Sequence, residues 1–173
     1  MSEIGIAVVG TGYIGREHMK AIAAHSQARL EFICATRRSE AVAVELQGVY
    51  GAGRVSTDFM DVVGDEGVEV VYLCTPNSQH VQQAVEALEG GKHVFVEKPL
   101  AVTMADCARI VAAARVSGRQ VMVGHGARFS KIFVALHKLV QDGTLGEACF
   151  VEGDYVHDLG PFLDLPGHDW WLD

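Results

Sequence analysis

Apolar residues change their spacing repeatedly along this chain, and each change marks an element. Residues 4–9, Ile-Gly-Ile-Ala-Val-Val, are an apolar run rich in β-branched side chains, the pattern of a strand buried on both faces. Gly10-x-Gly12-x-x-Gly15 follows at once, and Ile14, His18, Ala21 and Ile22 then keep a helical spacing. Residues 30–35 read as a second strand, residues 40–48 as a helix, and Val55 as part of a short strand. Thr57 or Asp58 is placed to cap a small helix with Phe59, Val62 and Val63 on one face. Residues 69–74 are the next buried strand; Val81, Ala84, Val85 and Leu88 then mark a helix, which Gly90-Gly91 ends. Residues 93–96 make another strand. Thr103-Met104-Ala105-Asp106 has the shape of a capping box, with Asp for the usual Glu, and the helix it opens carries Cys107, Ile110, Val111 and Ala114 on one face. Residues 121–123 close the series.

Strand and helix alternate throughout this region, which predicts an α/β fold: a parallel sheet, helices on both sides, right-handed crossovers. Strand, glycine turn and helix at the N-terminus are the context a dinucleotide fingerprint requires, so the sheet is expected to be a Rossmann-type doubly wound one. The pattern changes near Gly124. Residues 130–142 predict an amphipathic helix with Ile132, Leu136, Leu139 and Val140 facing inward, and residues 142–146 a turn. Residues 147–156 alternate as a strand would, but no partner strand follows, and one strand leaves a bare edge. Gly160-Pro161-Phe162 and Gly167-His168-Asp169-Trp170-Trp171 follow.

Composition narrows the function classes. The 173 residues suffice for one domain with a core, or one domain and part of another, and the 49% apolar content argues against disorder. A net charge of −8 speaks against a general nucleic-acid or membrane-surface binder, while a helix terminus and a few local cations can still hold an anionic cofactor. Cys34, Cys74, Cys107 and Cys149 are far apart, with no C-x-x-C, and read as reduced thiols of a cytoplasmic protein. The histidines lack metal-ligand spacing, so no metal is expected. No basic leader precedes the first strand, and no stretch is long enough to span a bilayer.

The candidate chemistry lies where strands end, since ligands of open parallel sheets sit outside the strands' carboxyl ends. In the turn Gly10, Thr11, Gly12, Tyr13, Ile14 and Gly15, the first glycine allows a sharp turn and the second lets a pyrophosphate approach the backbone. The third lets the helix pack closely, and its N-terminus offers N–H groups to phosphates. At the end of the second strand an NAD-binding fold usually has a carboxylate for the ribose 2′-hydroxyl. This chain has Thr36, Arg37 and Arg38 there, a pair of guanidinium groups suited to a 2′-phosphate, so NADP is preferred over NAD; the alternative is that both arginines are solvated residues opening the next helix. Three further polar clusters fall at strand ends: Thr75-Pro76-Asn77 with His80, Glu97-Lys98-Pro99, and His125 with Arg128. Lys98 is either a general base, its pKa lowered by burial and a cationic nicotinamide ring, or an ordinary cation paired with Glu97.

Four segments together resemble the glucose–fructose oxidoreductase / inositol dehydrogenase family. They are the glycine turn, Cys74-Thr75-Pro76-Asn77-Ser78-Gln79-His80, Gly90-Gly91-Lys92-His93-Val94-Phe95-Val96-Glu97-Lys98-Pro99-Leu100, and Gly124-x-x-x-Arg128-Phe129. Residues 141–147 resemble that family's entry into its second domain. The resemblance implies a nicotinamide-dependent oxidoreductase acting on a sugar, polyol or cyclitol. By it, Lys98 assists proton removal from the reacting hydroxyl, Cys74, Thr75, Pro76, Asn77, His80 and Glu97 line the cofactor, and Arg128 lies near the nicotinamide end. It also implies a cis Lys98–Pro99 peptide.

The departures shape the remaining expectations. Family members are about twice as long, with an open α+β sheet after the Rossmann domain. The chain is therefore expected to divide into a nucleotide-binding domain, residues 1–124, and the truncated start of a substrate and oligomerisation domain, residues 125–173. The family's second motif, an Asp followed by a His, lies beyond this stretch; His157 and Asp158 have the wrong spacing for it, and His168-Asp169 reads as loop. The piece alone is thus expected to bind without efficient turnover, and to be sticky where the sheet is missing. Two rival readings follow: a non-catalytic dinucleotide-binding module, and hydride-mediated glycoside cleavage on the same fold.

Overall fold

The computed structural model describes residues 3–156 and 158. Its strands are β1 (Ile4–Val9), β2 (Ala28–Cys34), β3 (Arg54–Ser56), β4 (Val70–Leu73), β5 (His93–Val96) and β6 (Val121–Val123). They form one sheet in the order β3-β2-β1-β4-β5-β6, every neighbouring pair parallel. The connections carry α1 (Tyr13–Ala23), α2 (Glu40–Tyr50), α3 (Phe59–Gly64), α4 (Asn77–Glu89) and α5 (Met104–Ser117). The chain returns to the centre between β1 and β4, which makes the sheet doubly wound and creates a crevice at that switch point.

Both faces of the sheet are buried, which explains the unbroken apolar runs of its central strands. On one face Ile6, Val8, Leu30 and Ile33 pack with Met19 and Ile22 of α1 and Ala43 and Leu46 of α2. On the other, Ala7, Val9, Val71, Leu73, Val94 and Val96 pack with Val62 of α3, Ala84, Ala87 and Leu88 of α4, and Ile110 of α5. Leu73, Leu88 and Ile110 are wholly inaccessible to solvent, and deleting such a side chain costs about 2–5 kcal/mol. The caps follow side-chain chemistry. Asp58 rather than Thr57 caps α3, accepting from the Met60 N–H at 2.8 Å. Thr103 caps α5 by accepting from the Asp106 N–H, while the shorter Asp106 carboxylate meets the Thr103 hydroxyl rather than its backbone.

Several helix faces differ from the sequence reading. The inward stripe of α1 is Gly15, Met19 and Ile22, one position round from the expected Ile14 and His18. Ile14 is exposed, because the tightest contact of that helix falls on a residue without a side chain. On α5, Ile110 is buried but Val111 is exposed.

The chain divides after Gly124 into two units. The second contains a 3-10 turn (Gly126–Phe129) and α6 (Lys131–Gln141), capped by the Ser130 hydroxyl. Ile132, Leu136, Leu139 and Val140 of α6 do not face inward; all four are exposed. Residues 147–156 are not a strand but irregular chain, since a strand requires a hydrogen-bonded neighbour and the described residues of this unit supply none. The loop expected at His168-Asp169 lies outside the described residues.

Candidate functional site

Register levels the carboxyl ends of the strands. Val9 lies beside Cys34 and Leu73, Leu73 beside Val96, and Val96 beside Val123. The next residue of each strand therefore stands in one row, tied by backbone hydrogen bonds of 2.8–2.9 Å: Gly10 N–H to Cys34 O, Cys74 N–H to Val9 O, Glu97 N–H to Leu73 O, and Gly124 N–H to Val96 O. The glycine turn, the Cys74–Asn77 loop and the Glu97-Lys98-Pro99 segment, far apart in sequence, thus share one rim at the switch point.

Each fingerprint glycine meets a different demand. Gly10 has φ +109°, which L side chains rarely adopt, and a Cβ there would lie 2.4 Å from the Cys74 carbonyl oxygen. A Cβ on Gly15 would lie 2.2 Å from the Gly10 carbonyl oxygen, so its role is to close the turn upon itself. A Cβ on Gly12 would meet nothing within 4 Å: the space there is open. No side chain caps α1 at Gly12, and its first turn carries no acidic residue. This open, uncapped helix start, with its partial positive charge, has the form of a phosphate cradle. Thr11, beside it, accepts at its carbonyl from Arg16 Nε at 3.1 Å.

The second cluster centres on Glu97. Its Oε1 lies 2.9 Å from His18 Nε2 on α1, and its Oε2 accepts from the Lys98 N–H at 3.1 Å. Burial alone would raise the Glu97 pKa, but the hydrogen bonds from His18 and the Lys98 backbone, with the charges of both residues, hold it below the usual carboxylate range. The His18 ring stands edge-on to Tyr72 at 5.3 Å and Phe95 at 5.0 Å, which stack on each other at 4.5 Å. Gly124 leaves room for this carboxylate, since a Cβ there would lie 2.9 Å from Glu97 Oε1. Cys74 is pushed up strongly by burial and then by the Glu97 charge, which leaves it a protonated thiol rather than a nucleophile.

Glu97 is thereby committed to His18 and to backbone. Lys98 makes no ion pair with it or with any other described carboxylate, and its side chain is exposed at the rim. The Lys98–Pro99 peptide is cis. Thr75, Pro76 and Asn77 are half-buried where β4 passes into α4, with the Thr75 hydroxyl donating to Gln83 Oε1 at 2.7 Å. His80 is almost wholly buried, its ring nitrogens 2.8 Å from Pro99 O and 2.9 Å from Thr75 O.

Thr36, Arg37 and Arg38 lie exposed just past β2, in a 3-10 turn that Thr36 and Ser39 close by a mutual cap. Neither arginine has an ion-pair partner among the described residues. Tyr13 and Ile14 are exposed on the first turn of α1, and Arg128 belongs to the 3-10 turn of the second unit. The sequence reading missed His18, counted only as a helix-face position; its place one turn beyond Gly15 was the available signal. Among the described residues no three His, Cys, Asp or Glu side chains gather as a metal set. No helix among them is long and apolar enough to cross a membrane.

A doubly wound sheet with a glycine turn and an uncapped helix at its switch point defines the nucleotide-binding class of Rossmann folds. Residues 4–125 match the family described as "Oxidoreductase family, NAD-binding Rossmann fold", and the chain belongs to that family. Inositol 2-dehydrogenase of Salmonella typhimurium (strain LT2) is 35% identical over 152 residues, 87% of this chain and 45% of that protein. The 2,7-anhydro-N-acetylneuraminate hydratase of Mediterraneibacter gnavus is 32% identical over 150 residues, covering 87% of this chain and 39% of its own length. Among solved structures, GenD2 from gentamicin A biosynthesis, in complex with NAD, superposes with a TM-score of 0.78 at 30% identity, over 83% of this chain and 40% of that one. The chain thus spans less than half the length of these relatives.

Proposed function

We propose that this chain is the cofactor-binding part of a nicotinamide-dependent oxidoreductase that moves hydride between the cofactor and a hydroxyl or carbonyl of a sugar, polyol or cyclitol. The observation that carries the reading is the shared rim: one row of strand ends presents an open glycine cradle after β1 and, across β4, an exposed lysine after β5 that makes no ion pair among the described residues. In this reading residues 1–124 hold the dinucleotide and residues 125–173 begin the substrate and oligomerisation domain. Gly10, Thr11, Gly12, Tyr13, Ile14 and Gly15 receive the pyrophosphate, with Gly12 leaving it room and α1 supplying N–H donors. Cys74, Thr75, Pro76, Asn77, His80 and Glu97 shape the wall around the cofactor, and Arg128 serves its nicotinamide end. The nicotinamide supplies the hydride acceptor when bound. Lys98 takes up the proton of the reacting hydroxyl, a role open to it because Glu97 is already satisfied by His18 and backbone.

NADP is the preferred cofactor in this reading. Arg37 and Arg38 carry charge without an ion-pair partner among the described residues where a 2′-phosphate would lie, and no carboxylate occupies the tip of β2. Fluorescence titration of the chain with NADPH and NADH tests both points. Binding of NADPH at least about tenfold tighter, reduced to parity in Arg37→Ala/Arg38→Ala, is expected; tighter NADH binding would sink the preference. The four free thiols fit a reducing, cytoplasmic compartment.

A second reading, hydride-mediated elimination, draws support from the relative named a hydratase. The complete protein separates the two: net formation of reduced cofactor marks a dehydrogenase, while turnover without it marks an elimination.

A further inference from the structure

We propose that His18 and His80 are positioning residues that fix the Lys98–Pro99 dipeptide from its two ends and so set where the Lys98 amine points. The inference rests on the reading that Lys98 flanks the cofactor. Its starting point is that the Lys98 side chain is exposed and makes no ion pair among the described residues, so its backbone fixes its direction.

That backbone is held at both ends by side chains. At the amino end the Lys98 N–H donates to Glu97 Oε2 at 3.1 Å, and the other oxygen of Glu97 lies 2.9 Å from His18 Nε2. His18 cannot drift, because its ring edge is seated on the Tyr72–Phe95 stack. At the carboxyl end the Pro99 carbonyl lies 2.8 Å from His80 Nδ1.

His80 does more than hold one carbonyl. Its other nitrogen lies 2.9 Å from Thr75 O; the ring N–H donates to one of these two carbonyls, and the ring wedged between them holds the β4–α4 loop against the segment after β5. It is 1% exposed, and both nitrogens are directed at backbone oxygens. It therefore presents no polar atom for proton exchange with a ligand, and its part is to make two loops of the rim move as one. The same arrangement ties Lys98 to α1, the helix that begins at the glycine turn, because His18 is part of that helix. Displacing a reacting group by about 1 Å costs on the order of a hundredfold in rate, so such a brace matters without touching a ligand.

The test uses the full chain with its lysines dimethylated with carbon-13, followed by NMR as NADPH is added. The Lys98 signal is identified by its loss in Lys98→Arg. In the wild type this signal shifts on NADPH saturation. In His80→Phe, which keeps a ring but removes its hydrogen bond, the shift collapses. His80→Gln, which can still donate to one carbonyl, restores part of the shift. His18→Phe, at a residue outside the cofactor wall, gives the same loss from the other end while the NADPH Kd stays within about threefold, and serves if His80→Phe does not fold. An undiminished Lys98 shift in both Phe variants overturns the brace. Loss of the shift together with loss of NADPH affinity in His18→Phe also overturns it, because that residue then supports the whole site rather than Lys98. A wild-type Lys98 signal that ignores saturating NADPH refutes instead the reading beneath it, and the brace falls with that reading.

Discussion

The two ends of the sheet both bury charge, but they use it differently. At the amino ends of the strands every buried charge is closed upon protein. Lys92 Nζ donates to Asp65 O at 2.6 Å and to Val68 O at 2.9 Å, Arg54 pairs with the Asp65 carboxylate at 2.7 Å, and Arg29 pairs with Glu31. Glu69 turns back to accept from the Gly5 N–H. At the carboxyl rim Glu97 is closed in this way, but around it stand an open cradle at Gly12, an uncapped helix start and an exposed lysine. The lesson is that burial of charge marks structure at one end, while unspent donors and open space mark the candidate site at the other.

Substitutions should separate the two ends. The largest effect is expected at the rim: in the complete enzyme, Lys98→Ala lowers kcat by about 10²- to 10⁴-fold while cofactor affinity and melting temperature hold. Unchanged turnover would remove Lys98 from the chemistry. At the opposite end, Lys92→Met leaves the carbonyls of Asp65 and Val68 without a buried donor. It should cost about 2–4 kcal/mol in urea unfolding with no change in NADPH affinity among the molecules that remain folded.

A smaller effect joins stability to the rim. The folded pKa of Glu97 lies below its unfolded value, so its contribution is fully present above the ordinary carboxylate pKa and is lost as pH falls through the depressed one. Urea melts from pH 7 downward should therefore show a stability loss below about pH 4.3 that is shallower in Glu97→Gln. Identical acid profiles for the two proteins would mean that the carboxylate is not held as the geometry indicates.

Much of the fold was legible because burial on both faces of a parallel sheet writes itself as continuous apolar runs. The boundaries of β5 and β6 follow residues 93–96 and 121–123 as the pattern has them. The stripe of α1 was misread because its innermost position is Gly15, which no apolar-spacing rule scores. The strand expected at residues 147–156 fails for another reason: alternation describes which way side chains would point, but a strand exists only with a neighbour. The α6 helix formed where its period placed it, yet its apolar face is exposed, because periodicity predicts a face and not what covers it. Within the candidate site the glycine turn and the Glu97-Lys98-Pro99 segment were visible as motifs. The His18–Glu97 pair was not, since 79 residues separate its members and only the adjacency of β1, β4 and β5 brings them together.

The most direct test of the rim as a dinucleotide site is the Gly12→Val variant. Gly12 has φ −67° and ψ −179°, ordinary extended backbone, and a Cβ there meets nothing, so the variant should melt as the wild type does. Its side chain nevertheless fills the space left for a pyrophosphate, so NADPH fluorescence titration should show saturable binding in the wild type and none in the variant. Undiminished NADPH binding by a folded Gly12→Val chain would contradict the account.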